Sequence, residues 1–322
     1  MEVAVENVFT DEIIKEGAEC FGVIAGKQVG DFENYLYEAR DCNGQKYVLR
    51  FTHSSHRTFA QMDAELSFLE YVGSRGARVA RPHRSRDGNL VEEAAAADGT
   101  VFFMALFEFA PGERVQEGDA TVWNEQLFYT WGKTIGALHR ITMDYPKTKV
   151  RPDWQENEWN IVHSMEEVEI REIAQEITAD IQKLPRTKAT FGLVHGDIHH
   201  GNFHYMDGNI TVFDFDDAMY HYFIHDIAIV LYYSLLRQER TEAERAAFAR
   251  MQLAALRNGY ETEHRLEDMW YESIPLFMRM RDLTLYGTLC KKFAGKEMPD
   301  VFKKMAASIH KRILARKSSM EL

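Results

Sequence analysis

Apolar and polar residues along the first part of the chain fall into the short runs that are typical of strands. Four runs rich in Val, Ile, Tyr and Phe predict strands over residues 21–28, 34–40, 46–52 and 101–107. Over residues 58–73 the apolar side chains instead recur every three or four positions, which predicts a helix. The chain up to about residue 110 is therefore expected to form strands and one helix.

The rest of the chain has a mostly helical pattern. Apolar residues share one face over residues 122–141, and a charged helix is predicted over 166–183. A strand-rich segment follows at 191–215, and helices are predicted from about residue 225 onward. Within that last region, the stripe of Met278, Arg279, Arg281 and Asp282 is interpreted as one turn of a packed helix with a solvated side.

A Pro-Gly break follows the last predicted strand of the first part, and it suggests a boundary between two domains. We predict an α+β protein with a small β-rich N-terminal lobe, residues 1–108, and a large mainly helical C-terminal lobe, residues 109–322. Such a bilobal arrangement implies a cleft between the lobes, and ligands usually bind in clefts.

Composition narrows the range of partners and compartments. The chain of 322 residues has a formal net charge of −12, which disfavours nucleic acid and is compatible with a cationic small molecule. Three widely spaced cysteines favour reduced thiols in the cytoplasm. No signal-peptide pattern is present, and the longest apolar run, 227–236, is too short to span a membrane. No feature of the sequence indicates an oligomeric state.

Candidate chemistry is concentrated in residues 193–218, LVHGDIHHGNFHYMDGNITVFDFDDA. Two β-like runs flank a turn centred on Gly208, and Asn202 and Asp214 each lie six residues from it. An antiparallel hairpin then predicts that their Cβ atoms lie roughly 5 Å apart. An amide oxygen and a carboxylate suit Mg²⁺, and Asp197, at the start of the preceding loop, is placed to accept a proton.

The form HGDIHHGN followed by VFDFDDA resembles the aminoglycoside phosphotransferase family and its choline-kinase and homoserine-kinase-like relatives. The resemblance implies a protein-kinase-like fold, ATP with Mg²⁺, and phosphoryl transfer to a hydroxyl group of a small molecule. It implies that Asp197 is the catalytic base and that Asn202 and Asp214 are the magnesium ligands.

The resemblance also implies a nucleotide site in the N-terminal lobe. Arg50 stands on the third strand where the family usually has a Lys, and Glu65 resembles the helix Glu that pairs with that cation. Gly30 could let backbone N–H groups approach phosphate. The adenine ring is expected near the segment that contains Glu108 and Ala110.

Four further residues of the C-terminal lobe complete the predicted site. Asp226 resembles the family's Asp that braces the catalytic loop, and His195 is expected to orient that loop by hydrogen bonding. Asp216 and Asp217 follow the metal-binding Asp and are candidates for contact with substrate.

Two other functions remain open at this point. The side chains of His195, Asp197, His199 and His200 could form a divalent-metal cluster of a hydrolase. Alternatively, the presence of Arg50 and a Gly-poor phosphate loop is compatible with a nucleotide-binding regulator, or pseudokinase, that lacks efficient transfer.

Overall fold

The computed structural model describes residues 3–31, 33–148, 150–156, 165, 167–236, 241–318 and 320. The chain forms two compact units. The sheet unit comprises Met1–Gly112, Pro146–Arg151 and Thr211–Asp216. The helical unit comprises Glu113–Tyr145, Pro152–Ile210 and Asp217–Leu322. Two short later segments thus belong to the sheet unit, whereas the sequence suggested a single boundary after residue 108.

The sheet unit contains an antiparallel sheet in the order β1-β2-β3-β6-β4, and β5 pairs with β6. Its strands are β1 (Ile24–Gly30), β2 (Tyr35–Arg40), β3 (Lys46–His53), β4 (Pro82–His83), β5 (Glu92–Ala95) and β6 (Val101–Glu108). The predicted strands at 34–40, 46–52 and 101–107 are confirmed within a residue. The central strand β3 pairs on both sides, and this places Arg50 opposite Leu36 and Ala105.

Among the described residues of the sheet unit, three helices accompany this sheet, namely α1 (Val3–Glu6), α2 (Asp11–Phe21) and α3 (Phe59–Ser74). The prediction of a single helix here was wrong, because α2 precedes the sheet. Its packing face includes Gly17, and a Cβ there would meet the Phe51 ring at 2.7 Å. The buried residues Ile13, Gly17 and Phe21 nevertheless recur every four positions, so the helical pattern is present in the sequence. Helix α3 is confirmed, and Thr58 and Gln61 form a capping box at its start.

The helical unit contains the predicted helices at 122–141 and 166–183, each confirmed within three residues. Its helices are α4 (Glu125–Thr142), α5 (Val168–Gln182), α6 (Ile224–Leu236), α7 (Glu242–Tyr260), α8 (Asp268–Glu272), α9 (Ile274–Lys292) and α10 (Asp300–Leu314). Among the described residues, two antiparallel strand pairs occur between these helices along the chain. They are β7 (Phe191–Val194) with β10 (Met219–Tyr222), and β8 (Phe203–Met206) with β9 (Asn209–Val212). Thr211 and Val212 of β9 belong to the sheet unit.

Helix α6 is buried on almost every side, as expected for a helix that is apolar around its whole circumference. Within the described ranges, no helix combines the length and the apolar character that a membrane crossing requires. The α+β class, with an antiparallel sheet in the N-terminal part and helices in the C-terminal part, is confirmed.

Helices α4 and α7 approach each other through glycines. A Cβ at Gly132 would overlap the carbonyl oxygen of Leu256, and a Cβ at Gly259 would overlap that of Tyr129. Because these neighbours are helix backbone, they cannot move aside as a flexible side chain can.

Gly132→Ala is therefore expected to destabilise the protein, although Gly→Ala inside a helix usually stabilises it. We expect the free energy of unfolding to fall by about 3 kcal/mol, since overpacking displaces the two helices. Chemical denaturation measures this change. The matched control is Gly118→Ala, where an added Cβ has no atom within 4 Å. Equal stability of the two variants would contradict the close packing of α4 and α7.

Candidate active site

In the sheet unit, a buried ion pair joins strand β3 to helix α3. Arg50 Nη1 donates to Glu65 Oε1 at 2.9 Å, and Nη2 donates to Oε2 at 2.7 Å. The two residues are 3% and 1% exposed. Burial acts to lower the pKa of Arg50, but the carboxylate of Glu65, followed by those of Asp216 and Asp214, raises it. Arg50 is therefore a fixed positive charge.

The family resemblance implied this contact between Glu65 and Arg50. Its geometry is bidentate, which a Lys at the same position could not reproduce. The guanidinium also lies 4.8 Å from the centre of the Phe107 ring. That Arg50 contacts nucleotide phosphates stays a prediction, as do the nucleotide roles of Gly30 at the end of β1, exposed Glu108, and buried Ala110.

Residues 214–216 of the sheet unit form a tightly held segment. Asp214 is exposed and has a left-handed φ of 66°, which is uncommon for a residue other than glycine. Arg57 donates from Nε and Nη2 to the two carboxylate oxygens of Asp216, both at 3.0 Å. Arg151 donates from Nη2 to the carbonyls of Phe215 and Asp216, at 3.2 and 2.5 Å. The unusual backbone of Asp214 is therefore held by contacts of the residues that follow it.

The ion pair with Arg57 bears on the predicted contact of Asp216 with a substrate. Its carboxyl is buried, which acts to raise its pKa, but Arg57, Arg50 and Arg151 outweigh burial and lower the pKa. Both oxygens thus already accept hydrogen bonds within the protein. Contact of Asp216 with a substrate stays a prediction and has to compete with this pair. Asp217 is exposed in the helical unit.

In the helical unit, the loop after β7 is closed by the carboxylate of Asp226, in the first turn of α6. This carboxylate accepts hydrogen bonds from the backbone N–H of His195 at 3.1 Å and of Gly196 at 2.9 Å. Nε2 of His139 lies 3.1 Å from the same group. Gly196 has a φ of 85°, and a Cβ there would meet the Asp217 carbonyl oxygen at 2.6 Å. The turn therefore requires glycine.

His195 contributes to the same loop. Its Nδ1 accepts a hydrogen bond from the backbone N–H of Asp197 at 3.2 Å, and its ring is buried. This contact agrees with the expected orienting role. Asp226 is fully buried, and although burial raises its pKa, the hydrogen bond and charge of His139, with further histidines, lower it to about 2.

Asn202 closes the loop from the other end. Its Nδ2 donates to the backbone carbonyl of Asp197 at 2.9 Å. Because a carbonyl can pair only with the NH₂ group, Oδ1 is the atom that remains to bind a cation. After β8, Asp207 and Gly208 both have a positive φ, as a type I′ hairpin turn requires. The predicted hairpin is confirmed, whereas the proximity of Asn202 to Asp214 stays a prediction.

The oxygen chemistry of these residues fits a hard divalent cation. The amide oxygen of Asn202 and the exposed carboxylate of Asp214 are ligand types that Mg²⁺ and Ca²⁺ prefer. The two histidines of the loop have other contacts. His199 Nε2 lies 3.6 Å from Asp197 Oδ2, and His200 Nδ1 lies 3.5 Å from Glu117 Oε1.

The alternative of a histidine-rich metal centre receives no support. In the part of the chain that the structure describes, no three His, Cys, Asp or Glu side chains are grouped so that they could hold a metal ion.

Arg281 and Asp282 lie on a packed helix, as the sequence indicated, but Asp282 is not on a solvated side of it. Asp282 is 1% exposed and accepts hydrogen bonds from Tyr232 and Arg312. Arg281 Nη2 lies 2.6 Å from Asp197 Oδ1. A single sequence gives no local signal for this contact, because 84 residues separate the partners.

Asp226→Asn is expected to lower stability in a pH-dependent way. The folded-state pKa lies below the ordinary 3.8, so the ionised carboxylate stabilises the fold above about pH 4, and this contribution is lost as the pH falls through 2. The shift corresponds to about 2 kcal/mol at pH 7. Urea denaturation at pH 7 and below pH 3 measures it, with Asp180→Asn on the surface of α5 as the control. An equal loss at both pH values would contradict the charge argument.

Comparison with known proteins agrees with this geometry. Residues 26–266 match the model of the phosphotransferase enzyme family. An amicoumacin kinase of Bacillus subtilis (strain 168) is 33% identical over 319 residues, covering 96% of this chain and 94% of that protein.

Solved structures give the same result. The structure of amicoumacin kinase hAmiN in complex with AMP-PNP, Ca²⁺ and Ami has a TM-score of 0.91 and 30% identity, and the match covers 100% of this chain and 98% of the other. A microcompartment-associated aminopropanol kinase has a TM-score of 0.70 over 95% and 96% of the two chains, and at 16% identity it shows the fold alone. The predicted family resemblance is confirmed: the chain is a phosphotransferase and belongs to the phosphotransferase enzyme family.

Proposed function

We propose that this protein is an ATP-dependent kinase that phosphorylates a hydroxyl group of a small molecule. Amicoumacin is the first acceptor to test, because the similarity to amicoumacin kinases extends over nearly the whole chain. The observation that carries the proposal is the loop of Asp197, which is held rigid by Asp226 and by Asn202 while the Asp197 carboxylate stays partly exposed. Such a loop suits a group that must meet a substrate in one orientation.

Asp197 acts as the base in this proposal. The acceptor oxygen forms a bond to the γ-phosphorus of ATP, the bond from that phosphorus to the β–γ bridging oxygen breaks, and ADP leaves. The hydroxyl proton passes to the Asp197 carboxylate. The rest of the catalysis is positioning and electrostatic stabilisation, as is general for phosphoryl transfer.

The nucleotide is proposed to bind through the sheet unit. Arg50, kept charged and immobile by Glu65, contacts the phosphates, while backbone near Gly30 approaches them. The segment with Glu108 and Ala110 contacts the adenine. The bidentate pair with Glu65 leaves Nε of Arg50 buried with no hydrogen-bond partner among the described residues, so this Arg is not fully satisfied by the fold alone.

Asn202 and Asp214 are proposed to bind Mg²⁺, which, when bound, neutralises negative charge on the phosphates. Oδ1 of Asn202 is presented by the hydrogen bond from Nδ2 to Asp197, and Asp214 is presented by its left-handed backbone.

The acceptor side is proposed to be acidic. Asp217 is exposed, and the net charge of −12 favours an acceptor that carries an amine. We also expect the protein to act in the cytoplasm, since Cys20, Cys42 and Cys290 are free thiols.

Asp197→Asn is expected to lower kcat by at least about 100-fold, because an amide cannot accept the proton. A coupled assay of ADP formation with ATP, Mg²⁺ and amicoumacin measures the change. The matched control is Asp207→Asn, the same substitution in the exposed hairpin turn, where Asn-Gly is as favourable as Asp-Gly. Full activity of Asp197→Asn would exclude Asp197 as the base.

Removal of divalent cations with EDTA is expected to abolish transfer, and added Mg²⁺ is expected to restore it. Asn202→Ala removes one oxygen ligand, so a higher Mg²⁺ concentration is expected for half-maximal activity, by about 10-fold or more. Asn209→Ala, which removes an exposed amide at the start of β9, is the control. An unchanged Mg²⁺ dependence in Asn202→Ala would contradict the assignment of this ligand.

A further inference from the structure

The proposed base of this protein is in contact with an arginine from a distant part of the chain. Arg281, on α9, donates from Nη2 to Asp197 Oδ1 at 2.6 Å and to the hydroxyl oxygen of Tyr233, on α6, at 2.5 Å. The side chains of Arg281 and Asp197 are 17% and 19% exposed. A charge-assisted hydrogen bond that is this short and this sheltered from water restricts the orientation of both groups.

The helices that carry these side chains are joined at the adjacent positions. Tyr232, next to Tyr233, donates to Asp282 Oδ1 at 2.7 Å, and Asp282 follows Arg281 on α9. Arg312, on α10, donates from Nε and Nη2 to the two Asp282 oxygens at 3.0 and 2.5 Å. The hydrogen bonds of Arg281 with Tyr233 and of Tyr232 with Asp282 therefore fix the register of α6 against α9. This also fixes the position from which the Arg281 side chain extends.

We infer that Arg281 is a positioning residue that sets the orientation of the Asp197 carboxylate for proton transfer. This inference rests on the proposed function of Asp197 as the base. Arg281 occupies Oδ1, so Oδ2 is the oxygen that accepts the proton of the acceptor hydroxyl. His199 Nε2 lies 3.6 Å from Oδ2, which is too long for a hydrogen bond.

Arg281 keeps its charge in this position. Burial acts to lower the pKa of its guanidinium, but Tyr233, Asp197 and Asp217 raise it. The Nη2 group that donates to Asp197 also donates to the Tyr233 hydroxyl oxygen. This second hydrogen bond limits rotation of Nη2 away from the carboxylate. A Lys at this position would keep the charge but lack the planar group that both partners contact.

The first test compares Arg281→Ala with wild type in the assay of ADP formation, with ATP, Mg²⁺ and the acceptor amicoumacin. We expect kcat to fall by about 100-fold, since loss of orientation acts on the chemical step. The KM for ATP is expected to stay within about 3-fold, because Arg281 contacts the proposed base and is not among the residues proposed to bind nucleotide. Arg140→Ala removes a surface pair with Glu263 at 3.0 Å and serves as the matched control.

Chemical rescue separates a positioning role from a structural one. Guanidinium at low millimolar concentration is expected to raise the kcat of Arg281→Ala in a saturable manner, whereas urea, a neutral molecule of similar shape, is not. Arg281→Lys is expected to fall between Arg281→Ala and wild type. A loss of kcat without rescue, accompanied by a matching fall in Tm, would overturn the inference, as would an unchanged kcat.

A crystal structure of Arg281→Ala distinguishes failure of this inference from failure of the proposed function. We expect the Asp197 carboxylate to rotate away from the position it has in wild type. If the carboxylate keeps its orientation, Arg281 does not position it. If wild type transfers no phosphoryl group but the carboxylate rotates, the proposed acceptor or activity is wrong while the positioning contact stands.

Discussion

The helical unit depends on one buried carboxylate, that of Asp226. It accepts hydrogen bonds from the backbone N–H groups of His195 and Gly196, in a turn with a left-handed glycine. A buried charge is tolerated only when it is surrounded by donors, and here the backbone and His139 supply them. The consequence is that the loop leaving β7 has one conformation, and Asp197 follows directly from it.

Other carboxylates of the protein are paired with arginine. Glu65, Asp216 and Asp197 each accept hydrogen bonds from a guanidinium, and two of these pairs are bidentate. A pair of this kind adds little net stability over an apolar pair, but losing one partner leaves an uncompensated charge, which costs about 3–5 kcal/mol where the pair is buried. The arginines thus maintain the geometry of the acidic residues more than they stabilise the fold.

Much of the fold and the loop that contains Asp197 could be predicted from the sequence because their signals are local. The strand β3 and the helix α3 follow from runs of adjacent residues, and the hairpin after Asn202 follows from Asp207 and Gly208. Helix α2 could also have been predicted, because its buried residues Ile13, Gly17 and Phe21 recur every four positions. The close approach of α4 and α7 could not be predicted, since a glycine in a helix does not indicate which backbone it faces.

The sequence alone indicated the class of reaction. His195, Asp197, Asn202 and Asp214 occur at spacings that resemble those of the phosphotransferase family, and the match of residues 26–266 to that family confirms the class. Tertiary structure alone decided that Arg281 contacts Asp197 and that Arg57 contacts Asp216. Those partners are 84 and 159 residues apart, and charged side chains at such separations meet only after helices and strands have packed. The packing is driven by apolar burial, which is not directional, so no pattern along the chain encodes which charges it brings together.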